Sequence, residues 1–194
     1  MSHARRTLCS DNLSMNLKSA ALASFLLFML GAAATGSAGV NQPAGCRISR
    51  FTLTLGPPIS EATGQHTLAV RLRNGGVSCV LDGHPAVVLS DSRGRLPLVV
   101  RHDGDQMISA RRPTRIVVES GGVAFVVLNQ YRCDRGVKRA ADVIRIGLAR
   151  ATHRSASTRI GDPYRRPSYC GRGDPGSTLT ISPFVPNVHA ALNH

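Results

Sequence analysis

Apolar residues in this chain recur at every second position, a spacing that lines one face of a strand and cannot line one face of a helix. Phe51–Leu55 alternates in this way, and Thr67–Arg73 does so more clearly, with Leu68, Val70 and Leu72 on one face and Arg71 and Arg73 on the other. Further short runs follow at Ala86–Leu89, Leu96–Val100, Arg115–Val118, Val123–Leu128, Ile144–Leu148 and Leu179–Ile181. Turn formers separate them: Gly56 with Pro57 and Pro58, Asn74 with Gly75 and Gly76, Asp91–Gly94, Asp103 with Gly104, and Gly121 with Gly122. About seven to nine strands at this spacing predict an all-β fold, an antiparallel sandwich of two sheets. A helical turn is expected at most at Arg135–Asp142. The weakly apolar stretch Thr152–Pro167 reads as a long irregular loop, and residues 187–194 as a flexible tail.

Ahead of the strands lies an export signal. Lys18 precedes the apolar run Ser19–Gly31, and the small residues Ala32 to Gly39 follow it, the order of charged, apolar and small regions that a secretory leader requires. The apolar run is shorter than the ~20 residues that span a bilayer, so a cleaved leader is favoured over an uncleaved membrane anchor. Gly36 and Ala38 place the cut after Ala38, and Met15 serves equally well as a start. The expected organisation is a signal peptide over 1–38, a linker over 39–45 and one sandwich domain over 46–186. The protein is then secreted or held in the extracytoplasmic cell envelope.

Cys9 leaves with the leader, which leaves four cysteines: Cys46, Cys79, Cys133 and Cys170. An even number in an oxidising compartment points to two disulfides. Metal or redox chemistry is the rival, but no pair has Cys-x-x-Cys spacing and no cysteine–histidine cluster has the spacing of a zinc site.

Three stretches together carry a family likeness. Cys46 opens a strand, a second strand ends in the turn Asn74–Gly76, and Cys79, Leu81, Gly83 and Pro85 spell Cys-x-Leu-x-Gly-x-Pro. With Tyr131–Cys133 after an apolar strand and Cys170 before Leu179–Ser182, the chain from Cys46 to Pro186 resembles the exported actinobacterial domain of unknown function 4232. The resemblance implies an immunoglobulin-like sandwich, often lipid-anchored or joined to other modules, without an assigned activity or catalytic residues. His84 departs from it, standing where an aromatic residue is common.

Within that motif Gly83 allows a backbone angle other residues resist, Pro85 fixes the next turn and Leu81 anchors inward, so Cys79 is held near a strand start. The expected pairs are Cys46 with Cys79 and Cys133 with Cys170, and the two other pairings stay open on sequence alone. Each expected bond closes a loop of roughly 35 residues, for which chain entropy predicts about 3–4 kcal/mol. Cys46 has a second reading as a lipid-modified residue, since Ala44 and Gly45 precede it. Pro43 and the distant apolar run count against that reading, and acylation would strand Cys79.

The chain carries 24 Lys+Arg against 11 Asp+Glu. Without Arg5, Arg6, Lys18 and Asp11, 21 basic and 10 acidic residues remain, a mature charge of +11. Such a balance suits anionic envelope polymers or lipid head groups. The basic residues are nevertheless dispersed, Lys138 is the only lysine after the leader, and an arginine excess beside abundant Ala, Gly, Val and Pro also fits GC-rich coding. No nucleic-acid partner is expected, because export removes the opportunity and no basic motif interleaved with aromatics occurs.

His102–Asp105 can be drawn as an acid–base or metal cluster, yet Asp-Gly between charges is an ordinary turn. There is no Gly-x-Ser-x-Gly, no His-Glu-x-x-His and no phosphate-cradling glycine loop. His66, His84 and His153 stand singly. Arg172, Gly173 and Asp174 spell a tripeptide read by some adhesion receptors, a short match that recurs by chance. No cofactor, metal or enzyme activity is expected. The function expected is a non-catalytic binding or envelope module, with an extracytoplasmic hydrolase or an electrostatic adhesin as alternatives.

Overall fold

The computed structural model describes residues 43–59, 62–149 and 151–193, the side chains of 151–153 excepted. The leader, Met15, Cys9 and linker positions 39–42 lie outside the described residues. The fold is all-β: β1 Phe51–Leu55, β2 Gln65–Asn74, β3 Cys79–Leu81, β4 Pro85–Asp91, β5 Gly94–Arg95, β6 Val99–Arg101, β7 Ile116–Val118, β8 Val123–Tyr131, β9 Arg139–Ala140, β10 Val143–Leu148, β11 Ala151–Arg159, β12 Ser168–Tyr169 and β13 Thr178–Ile181. Short 3-10 turns are the only helical elements described, and no helix among the described residues is long and apolar enough to cross a membrane.

One sheet has the order β1-β2-β8-β13-β6 and the other β11-β10-β4-β5. The pairs β3–β7 and β9–β12 stand beside them. Among the described strands all pairing is antiparallel except β6 with β13, and Gly45 makes a parallel bridge to Val80. Thirteen strands exceed the seven to nine that periodicity predicts, because pairs two or three residues long are too short to show a period.

The alternation decides the layers. Leu68, Val70 and Leu72 of β2, with Val126, Leu128, Leu179 and Ile181 from its neighbours, meet Val87, Leu89, Ile144 and Ile146 of the other sheet in one core. Each such side chain contributes about 1.5–3 kcal/mol when fully buried. Arg71 and Arg73 point to solvent, as the pattern requires. The outer face of the five-stranded sheet carries a second, smaller core of Ile108, Val127, Val185 and Ala191.

Four expectations differ from the structure. Within Thr152–Pro167 the chain forms β11, which pairs along β10 as the edge of its sheet. An edge strand turned largely to solvent needs few apolar residues, and among its described side chains only Ala156 packs against the core. Arg135–Asp142 holds no helical turn; its Arg139 and Ala140 pair with Tyr169 and Ser168 instead. Only the end of Leu96–Val100 becomes strand, since Pro97 lacks an N–H and Leu96 instead plugs the core. Residues 187–193, read as a flexible tail, form a 3-10 turn at Val188–Ala191 capped by Asn187. Its apolar residues carry no period because they cover a sheet face from outside: Leu192 bridges to Ile108, and Asn193 Nδ2 donates to Asp105 O at 2.6 Å.

Candidate functional site

Both disulfides form as expected, Cys46 with Cys79 and Cys133 with Cys170, with Cα–Cα distances of 4.9 and 5.2 Å. The first organises one end of the sandwich. Cys46 N donates to Val80 O and Val80 N to Ala44 O, so the segment ahead of β1 lies along β3. Gly75 N donates to Arg50 O, close enough that a Cβ on Gly75 would stand 3.0 Å from that oxygen.

Asn74, at the end of β2, holds this end together. It is 1 % exposed, and its Nδ2 lies 2.9 Å from Val77 O, 3.0 Å from Val118 O and 3.2 Å from Glu119 O, while Gly76 N donates to its Oδ1 at 2.8 Å. The two N–H groups of one amide thus tie the turn at Val77 to the end of β7, where a buried carbonyl without a partner would cost about 1–3 kcal/mol. The sequence marks Asn74 as a turn former, but its long-range partners have no local signature.

Between these segments opens a groove of about 620 Å³, lined by residues that include Arg47, Arg50, Gly76, Val77 and Ser120. Arg47 and Arg50 are exposed, Val77 is 83 % exposed, and among the described residues no carboxylate lines the groove. Two guanidiniums above exposed backbone and hydroxyl groups suit an anionic ligand.

The remaining motif residues are structural. Leu81 is fully buried, Gly83 adopts φ +81°, and Pro85 opens β4 opposite Leu148. Gly83 O accepts a hydrogen bond from Phe184 N. They fix the strand that carries Cys79 and stand away from the groove lining.

His102–Asp105 does not gather into one cluster. Asp103 pairs with Arg101, which holds its carboxyl below the usual range. Asp105 Oδ1 accepts from Met107 N and Ile108 N, and its Oδ2 from Asn129 Nδ2, which also donates to Gln65 Oε1. Both carboxylate oxygens thus cap a turn and end a buried polar row. His102 instead meets His84, ring centres 4.3 Å apart. Burial first, and the neighbouring ring second, lower the pKa of His84.

At the second disulfide end, Asp174, Gln130 and Ser177 turn inward. Asp174 is 9 % exposed; its Oδ1 accepts from Gly176 N at 2.9 Å and its Oδ2 from Arg135 N at 3.3 Å. The carboxylate of the tripeptide Arg172–Asp174 is thereby engaged within the fold. Gln130 ties the same loop by donating to Ser168 O and Gly176 O, and Ser177 Oγ accepts from Cys170 N. Nearby, Arg139 grips Asp91 through Nε at 2.8 Å and Nη2 at 2.6 Å. That grip holds the Asp91 carboxyl far below the usual carboxylate range.

Compared with known families, residues 46–185 match the model of a domain of unknown function, DUF4232. No curated protein and no solved structure matches the chain.

Proposed function

This chain belongs to the DUF4232 family, and we propose that it is an exported, non-catalytic binding module that takes an anionic envelope polymer or lipid head group at the Cys46–Cys79 end. One observation carries the reading: the groove there presents Arg47 and Arg50, and no carboxylate lines it among the described residues. Two disulfides in a small domain favour an oxidising, extracytoplasmic compartment and the export signal that leads there. An immunoglobulin-like relationship, consistent with two packed sheets of mainly antiparallel strands, belongs to the same reading.

The test is binding of the full chain to phosphatidylglycerol-rich vesicles and to a soluble phosphodiester polymer at low salt and at 0.15 M, where screening acts beyond about 8 Å. Arg47→Glu with Arg50→Glu should abolish binding to at least one probe, whereas Arg71→Glu with Arg73→Glu on the sheet face should only weaken it. Equal losses from both pairs would show a general surface charge and no groove site.

A further inference from the structure

The outer face of the five-stranded sheet divides in two. Beside the small apolar core of Ile108, Val127 and Val185 it turns polar, and the strand register sets the polar side chains in rows. Thr67, Asn129, Thr180 and Arg101 stand opposite one another across β2, β8, β13 and β6. Two residues along, and therefore on the same face, Tyr131 lies opposite Gln65 and Thr178 opposite Val99. Neighbours in such rows have Cβ atoms about 5 Å apart, so these side chains share one surface. Its floor is fixed by hydrogen bonds. Thr67 Oγ1 donates to Asn129 Oδ1 at 2.7 Å, Asn129 Nδ2 to Gln65 Oε1 at 2.6 Å and to Asp105 Oδ2 at 2.9 Å, and Gln65 Nε2 to Gln106 Oε1 at 3.1 Å. Gln65 and Asn129 are fully buried, so this network holds the strand ends rigidly around it.

Above this floor the surface is open. Two hollows of about 370 and 330 Å³ meet here, and Tyr131 and Pro175 line both. Tyr131 is 39 % exposed, and Arg101, Thr178 and Thr180 line the second hollow. Small-ligand sites measure about 300–1,000 Å³ and carry a few polar groups that the scaffold fixes in place. The lining selects the ligand. Among the described residues the hollows set Arg101 and Arg132 against Asp105 and Asp134, and Arg101 Nε donates to Asp103 as well. That balance gives no net attraction for an anion, in contrast to the groove at Arg47 and Arg50. An exposed phenol ring beside hydroxyl and guanidinium groups suits a ligand with an apolar C–H face and hydroxyl edges, which describes a sugar ring. The C–H face lies against the electron-rich face of the aromatic ring, and the hydroxyls meet the polar side chains. We propose that this face binds an uncharged oligosaccharide, stacked on Tyr131 and hydrogen-bonded by Arg101, Thr178 and Thr180. Two hollows that share one tyrosine suit consecutive sugar units better than a single ring.

The experiment titrates the full chain with cellohexaose, maltohexaose and mannohexaose, followed by calorimetry and by NMR of the tyrosine rings. At least one should bind with an affinity that does not change between low salt and about 0.15 M. The ring signals of Tyr131 should shift, while those of Tyr164, 88 % exposed and outside both hollows, stay in place. Tyr131→Ala should weaken binding by about tenfold or more and Thr180→Val by about threefold, whereas Tyr131→Phe should keep most of it. The chain carrying Arg47→Glu and Arg50→Glu should bind the sugar unchanged, and a loss there would put the ligand in the groove and overturn the proposal. So would no binding of the three at millimolar concentration, shifts at Tyr164 as large as those at Tyr131, or unchanged affinity in Tyr131→Ala. The ring shifts are read on the native chain, so they decide the matter whether or not the variants fold.

Discussion

The two disulfide ends use similar bonds to opposite effect. At the Cys133–Cys170 end, Asp174 and Ser177 turn inward to bond their own loop, and Gln130 of β8 donates to it. At the Cys46–Cys79 end one buried amide, that of Asn74, does the comparable work, and the arginines nearby are left facing solvent. A crosslinked loop can therefore be closed from within or held open by a single hub. In the second arrangement Arg47 and Arg50 stand exposed and line a groove.

The largest expected effect tests whether the two bonds are equivalent. They span 33 and 37 residues, so replacing either pair with serine should lower stability by about 3–4 kcal/mol, read as the urea midpoint of each double variant. A bond whose removal leaves the midpoint unchanged would break the equivalence. The next effect separates the ends by packing. A Cβ at Gly176 would stand 2.5 Å from Cys170 Sγ and 2.8 Å from Tyr131 O, while one at Gly45 would meet nothing within 4 Å. Gly176→Ala should cost about 2–3 kcal/mol through overpacking, and Gly45→Ala no more than about 0.5 kcal/mol. Thermal unfolding of the two variants compares them directly, and equal shifts would refute the difference in closure.

The smallest effect is acid sensitivity beside the closed end. Arg139 on β9 lowers the Asp91 carboxyl, so the folded state holds the ionised form more strongly than the unfolded chain does. That contribution is present above the ordinary carboxylate pKa of about 4 and is lost as pH falls towards the folded value. Asp91→Asn should thus be less stable than the native chain at pH 7, and the gap should narrow steadily towards pH 2. A gap that stays constant in denaturant titrations across this range would remove the ion pair from the account.

The layers were legible in the sequence because burial repeats with the strand period: Leu68, Val70 and Leu72 declare both the strand and its inward face. The disulfide frame was legible from the count of cysteines and the rigid residues around Cys79. What escaped lacks a local signal. β11 is an edge strand of Ser, Thr, Ala, Arg and one His held by its neighbour's backbone, and Val185 and Ala191 pack onto a sheet that their own spacing does not reveal. The groove escaped for the same reason, since Arg47 and Arg50 come to line one groove only when β3 and the end of β2 are brought beside them. His84 and His102 stand apart in sequence, and only β6 and the turn before β4 bring them together.

The parallel seam between β6 and β13 sets a schedule for how this molecule comes into being. Val99–Arg101 finds its partner in Thr178–Thr180, and β13 also fills the place between β6 and β8. Until that late strand emerges from the ribosome, the sheet lacks one of its interior members, and β6 has nothing beside it. Contacts so distant along the chain form slowly, because a long loop must close before any of them is rewarded. The five-stranded sheet is therefore completed last, after β1, β2 and β8 are already able to pair with one another.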